Sequence, residues 1–170
     1  MLKAAISIDR VMEAFGELLK WALPVVVALA ALVALLRYGL SLGYPWLSES
    51  FVWLNGALVF LGCGAVLSTD GHVRVDLFYR RLGARPKAWI NLLGTVFFLW
   101  PMVAVLAVKA WPALQRSWAL REASPSIDGL PFLYLMKSAV MAFCILLAIQ
   151  GLSTVLRSLH TLIHDFGASD

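Results

Sequence analysis

Residues 70–87 read DGHVRVDLFYRRLGARPK, a charged island between two long apolar runs. Of the 14 Lys and Arg residues in the chain, five stand in this one connection: Arg74, Arg80, Arg81, Arg85 and Lys87. Basic connections stay on the cytoplasmic side of a bilayer, so the island orients everything around it. Composition puts the chain in that bilayer. Of its 170 residues 61% are apolar and 14% charged, against about 25% charged in ordinary soluble domains. The formal net charge of +4 raises the question of nucleic acid. The basic residues flank apolar runs, however, and no zinc, RNP-like or basic-zipper pattern accompanies them. The expected partner is the lipid bilayer, not nucleic acid.

Working outward, four apolar runs are read as transmembrane helices over 21–42, 51–68, 89–110 and 130–156, each near the roughly 20 residues that cross a hydrocarbon core. The island, 69–88, is the cytoplasmic connection, and 111–129 is the periplasmic one. Four spans put both termini on one side. That side collects nine basic residues: Lys3, Arg10, Lys20, the five of the island, and Arg157. The other collects five even when Arg37, Lys109 and Lys137 join Arg116 and Arg121, so the topology is N-in, C-in. The tryptophans agree, with Trp21 and Trp89 at the cytoplasmic boundary and Trp46, Trp53, Trp111 and Trp118 at the outer one. Trp100 alone sits deep, before Pro101.

Ahead of the first span, residues 4–20 place Ile8, Val11, Met12, Phe15, Leu18 and Leu19 on one helical face and Asp9, Glu13, Glu17 and Lys20 mostly on the other. This is an amphipathic helix, read either as lying flat in the cytoplasmic interface with a bend at Pro24, or as an extension of the first span. Its acids differ from the start of a removable signal peptide, so this segment is expected to be retained. In the periplasmic connection, ALQRSWALREAS reads as a short surface helix stopped by Ser124 and Pro125. The fold class is thus all-α integral membrane: four transmembrane helices, N-in/C-in, with an N-terminal amphipathic interfacial helix, in one domain over 1–170.

Catalytic chemistry is not evident. No nucleophile set, phosphate-cradling loop or CxxC pair occurs, and Cys63 and Cys144, each inside an apolar run, read as helix-packing residues. His72, His160 and His164 fall outside the spans; His160 and His164, four apart, lack the further ligands a metal needs. The chain is expected to be no enzyme and to hold no cofactor or metal. The first two spans carry no interior acid of the kind a proton-coupled transporter uses. Lys137 is the deepest charge, about 9 Å into the fourth span at a 1.5 Å rise per residue. Three readings apply to it: a structural pair with Glu49, snorkelling to the headgroups, or a substrate contact. Asn55, Asn91 and Gln150 need partners in lipid, and Asn91 and Gln150, at comparable depth, are expected to bond each other.

An outer acid before the second span, an apolar Phe-Leu-Gly run and then Gly-His-Val-Arg-Val-Asp-Leu make the chain similar to the small membrane subunit of TRAP transporters, the tripartite ATP-independent periplasmic carriers. The residues that carry the resemblance are Glu49, Phe60, Leu61, Gly62, Gly71, His72, Val73, Arg74, Val75, Asp76 and Leu77. It extends over all four spans. Many members carry two adjacent acids where this chain has Ser48 and Glu49.

The resemblance implies a small permease subunit that braces the scaffold of a large membrane subunit. That large subunit carries substrate and sodium, so sodium is expected there and not in this chain. It also implies a periplasmic substrate-binding protein that delivers organic anions such as carboxylates, and a place in the bacterial inner membrane. Glu49, Gly71, His72, Arg74, Val75 and Asp76 become the assembly motif, and Trp118 and Arg121 the expected contact with the binding protein. Two rivals remain, a self-contained homo-oligomeric four-helix transporter and a membrane anchor of another complex.

Overall fold

The computed structural model describes residues 2–68, Tyr79 and residues 82–164. Its helices are α1, Leu2–Lys20; α2, Ala22–Ala34, closed by a π-helical turn at Leu35–Gly39; and α3, Pro45–Ser68. Then come α4, Ala84–Gly94, a second π turn at Thr95–Leu99, α5, Trp100–Ala119, and α6, Leu133–His164. No strand occurs among the described residues. Four helical rods are long and apolar enough to cross a membrane: Leu2–Gly39, Pro45–Ser68, Ala84–Ala119 and Leu133–Ile163. Helices satisfy their own backbone groups, which hydrocarbon cannot do for them.

The rods outrun their apolar cores. The third begins at Ala84 and continues through Pro112 to Ala119, so the first seven residues of ALQRSWALREAS end the rod, the last five turn into the loop, and no separate surface helix forms. The second begins at Pro45, a residue whose missing N–H costs nothing in a first turn. There Ser50 Oγ donates to the Trp46 carbonyl at 2.7 Å, which lets a polar turn stay helical. At the joint between α1 and α2, Trp21 keeps right-handed helical angles, φ −68 and ψ −17, so the chain continues and does not reverse.

α6 is the spine, packed against α1, α3, α4 and α5. Its Cys144 and Leu147 meet Val103 of α5 in the core, with Cys63, Leu67, Leu99 and Phe143 packed around them. Both cysteines are free thiols serving as small packing groups. With 32 residues, α6 is about 48 Å long at 1.5 Å per residue, well over the roughly 30 Å of hydrocarbon. Its last turns, with Ser153, Thr154, Arg157 and Ser158, are polar.

Proline at position 101 cannot donate to the carbonyl four residues back, and its ring crowds that carbonyl. The chain responds with the π turn at Thr95–Leu99, whose wider i→i+5 bonding absorbs the misfit. This turn seats on Gly151. A Cβ at Gly151 would stand 2.8 Å from Trp100 Nε1 and 3.0 Å from Leu99 Cδ2, so only glycine admits the approach.

Candidate functional site

Two polar anchors hold the bundle, one at the end where the described termini meet and one at the far end. The first is built on Asp9. Ala5, Asp9, Met12 and Gly16 recur at spacings of four and three, a narrow seam along α1. Ala5, Asp9 and Met12 are buried, Asp9 at 3% exposure, and a Cβ on Gly16 would stand 2.6 Å from the Ala65 Cβ of α3. From α6, Gln150 Nε2 donates to Asp9 Oδ1 at 2.8 Å, Ser153 Oγ donates to the same oxygen at 2.7 Å, and Arg157 Nη2 donates to Oδ2. Gln150, Ser153 and Arg157 fall at i, i+3 and i+7, one face of one helix. A carboxylate in such a place is costly unless paired and bonded, and here it is both.

Asp9 is a correction to the helical-wheel reading, which set it on the polar outer face with Glu13 and Glu17. Four-residue steps drift around a 3.6-residue helix by about 40° each, and the drift brings Asp9 into the seam. The signal lay in the partner: a cluster of Gln150, Ser153, Thr154 and Arg157 on a helix that is otherwise apolar.

The pairing of Asn91 with Gln150 is also corrected. Gln150 spends its amide on Asp9, and its Oε1 is buried with no partner among the described residues. Asn91 Oδ1 instead accepts from the Tyr79 hydroxyl at 3.1 Å. The two do come to one place, both lining a polar cavity of about 90 Å³ beside Asp9, Ser153 and Thr154.

The far anchor is built on Glu49 and Lys137, which do not meet. Glu49 Oε1 accepts from Ser124 Oγ, and Oε2 accepts from the Leu130 amide at 2.8 Å. One carboxylate from α3 thus clamps both ends of the loop between α5 and α6, which Ser124 N closes on the Leu130 carbonyl at 2.9 Å. Lys137 Nζ donates to Glu122 at the start of that loop. The Lys137 ammonium holds the Glu122 carboxyl below the usual carboxylate range. So Lys137 has a structural partner, though not the expected one. Trp118 lies half exposed, its Nε1 donating to Ser138 Oγ at 2.9 Å and its ring centroid 4.8 Å from that of Tyr134. Arg121 is exposed, in the left-handed region at φ 44.

Asn55 is exposed on α3 and makes no hydrogen bond among the described residues. Gly71, His72, Arg74, Val75 and Asp76 lie outside the described residues. No group of three or more potential metal-binding side chains occurs among the described residues. What the two anchors do chemically is fasten helices.

A family model, described as the DctQ component of tripartite ATP-independent periplasmic transporters, matches residues 26–161, well over half of the chain. No curated protein and no solved structure matches it.

Proposed function

The chain belongs to the DctQ component family of the tripartite ATP-independent periplasmic transporters, and on that premise we propose that this small permease component works as a fixed brace. In this reading it holds the scaffold of a large membrane subunit while that subunit carries substrate and sodium across the bacterial inner membrane. A periplasmic binding protein delivers the substrate, an organic anion of the carboxylate class. The island at 69–88 and both termini face the cytoplasm, and α1 lies at that boundary. The loop clamped by Glu49 faces the periplasm, where Trp118 and Arg121 are placed to touch the binding protein.

The observation that carries the reading is how three ionisable groups at the helix contacts are spent. Asp9, Glu49 and Lys137 are each consumed in bonds between elements of this chain. A moving transport site needs groups that change partners, whereas a brace needs groups that keep them. The self-contained transporter would need a free acid in the bundle, and the described interior acid is locked by three donors.

The test is to tag the chain at its C-terminus, extract it from its native membrane in mild detergent and identify what co-purifies by mass spectrometry. A many-helix membrane subunit in matching amount is expected. Membranes holding the pair should then take up carboxylates only with a sodium gradient and the binding protein. Recovery of the chain alone as a homo-oligomer would overturn the brace.

A further inference from the structure

The rods present different sides to their surroundings. On α2 the exposed hydrophobic residues include Val25, Val27 and Leu32; at the π turn and α5 they include Phe97, Phe98, Met102, Val105 and Val108, short of Lys109 near the outer end; on α6 they include Leu135, Ile145 and Leu152. These are bulky hydrocarbon, suited to acyl chains. α3 differs. Its outward line runs Val52, Asn55, Val59 and Val66, with the half-buried Gly62 between the last two, at spacings of three and four, so a short amide stands in an otherwise apolar face.

Asn55 lies about 9 Å along the helix from Glu49 and about 20 Å from Ser68 at 1.5 Å per residue. Unlike lysine, its side chain is too short to reach the headgroups from there. Acyl chains offer it no hydrogen bond, and no described residue of this chain does either. Beside the same face, between α1–α2 and α3, lies a groove of about 320 Å³ whose apolar wall is formed by Leu23, Leu58, Gly62 and Val66, with Glu13, Glu17 and Lys20 of α1 at its other edge. A Cβ at Gly62 would have no atom within 4 Å. The groove has room for large side chains of a neighbouring helix, and the amide beside it asks that helix for a polar group.

We infer that the Val52–Val66 face of α3 is the surface on which the large membrane subunit docks, through a transmembrane helix that hydrogen-bonds Asn55 and fills the groove beside Gly62. The occupant is a helix and not lipid because the face needs a hydrogen-bonding partner at hydrocarbon depth. It belongs to the large subunit and not to a second copy because the chain is one component of a three-part carrier; in this the inference rests on the brace reading. The bulky faces at Phe98 and Val108 are left to lipid.

The test is photo-cross-linking in membranes that express the complete transporter, with p-benzoylphenylalanine placed singly at Val59 or, for comparison, at Phe98. Val59 should give an adduct with the large subunit, and Phe98 none. A Val59 adduct with a second copy of this chain overturns the inference. So does an adduct with the large subunit from Phe98 alone, which moves the docking face and leaves the brace standing. Failure of both positions to capture the large subunit, together with failure to co-purify it, overturns the brace as well. In parallel, Asn55→Leu should lower the large subunit recovered per tagged chain several-fold, with Asn55→Gln keeping much of it. Asn55→Leu also leaves the Asp9 and Glu49 anchors untouched, so a normal yield of this chain separates lost docking from lost folding. Recovery of the large subunit unchanged in Asn55→Leu would show that the amide is not part of the contact.

Discussion

The two anchors solve the same problem, fastening helices across the width of the bundle, by opposite means. At the end where the termini meet, Asp9 is buried and takes its donors from one regular helix, with no loop involved. At the far end, Glu49 is only half-buried and holds a loop, reaching the Ser124 hydroxyl and the Leu130 amide. The three described non-glycine residues with positive φ, Ser41, Arg121 and Asp128, all belong to that far end. Helix-on-helix fastening needs no unusual backbone; loop fastening does. The difference teaches where the chain is stiff by construction and where stiffness depends on a few polar bonds.

The comparison breaks first at Asp9. Asp9→Leu strips Gln150 of its acceptor, leaves Ser153 only the Ala5 carbonyl and leaves the half-exposed Arg157 unpaired, at a cost of about 1–3 kcal/mol. Thermal unfolding of the detergent-extracted chain should move down accordingly, and a protease should cut α1 free while α3 to α6 stay intact. An unchanged melting curve would mean the buried carboxylate holds nothing. Gly16→Ala should cost less, about 1–2 kcal/mol from overpacking. Its added methyl meets the Ala65 Cβ at 2.6 Å, so Ala65→Gly in the same chain should restore the loss. Additive losses in the double variant would place the clash elsewhere.

At the far end the expected effects are smaller and depend on pH. Because Lys137 holds the Glu122 carboxyl below the usual range, the pair stabilises the fold fully above the ordinary carboxylate pKa. That contribution is lost as pH falls through the depressed folded-state value. The gap in melting temperature between the wild type and Glu122→Gln should therefore be full at neutral pH and close in acid. A gap that persists in acid would remove the ion pair from the account. Smallest of all, Ser41→Gly relieves a left-handed residue at φ 57 and should raise stability by about 1 kcal/mol, less the flexibility glycine adds to the unfolded chain. A loss would show that Ser41 is not strained.

The four rods were legible because hydrocarbon selects on bulk composition, and apolar runs near span length have few other homes. Their ends were less legible. Ser48, Glu49 and Ser50 read as a loop, yet they are helical, since proline opens the turn and a serine bonds its own backbone. The anchors were legible only in part. Lys137 and Glu49 stood out as charges at apolar margins, and both make structural bonds, but their partners Glu122, Ser124 and Leu130 come from a loop whose path no periodicity gives. Asp9 was misplaced because a wheel drawn for one helix cannot say which neighbour will offer donors. Its pairing was written in α6, 141 residues away from it at Gln150.

The π turn in the third rod carries a consequence for the chain's tolerance of length change. Ala88, Thr95 and Val103 are buried, steps of seven and then eight, while Met102 is 52% exposed. One surplus residue has been absorbed as a swelling in the coil, and the rod keeps its phase on both sides of it. Removing Phe97, which is 66% exposed, would leave Val103 aimed at α6 but shorten the swelling to an ordinary turn, so that the cost falls locally on Pro101, whose ring the π turn now accommodates. Removing Val105 instead would swing Leu114 and Ser117 around the axis by about 100° and away from their places. Within one unbroken helix, then, losing a residue is a local change at one turn and a scrambling one a few residues further on.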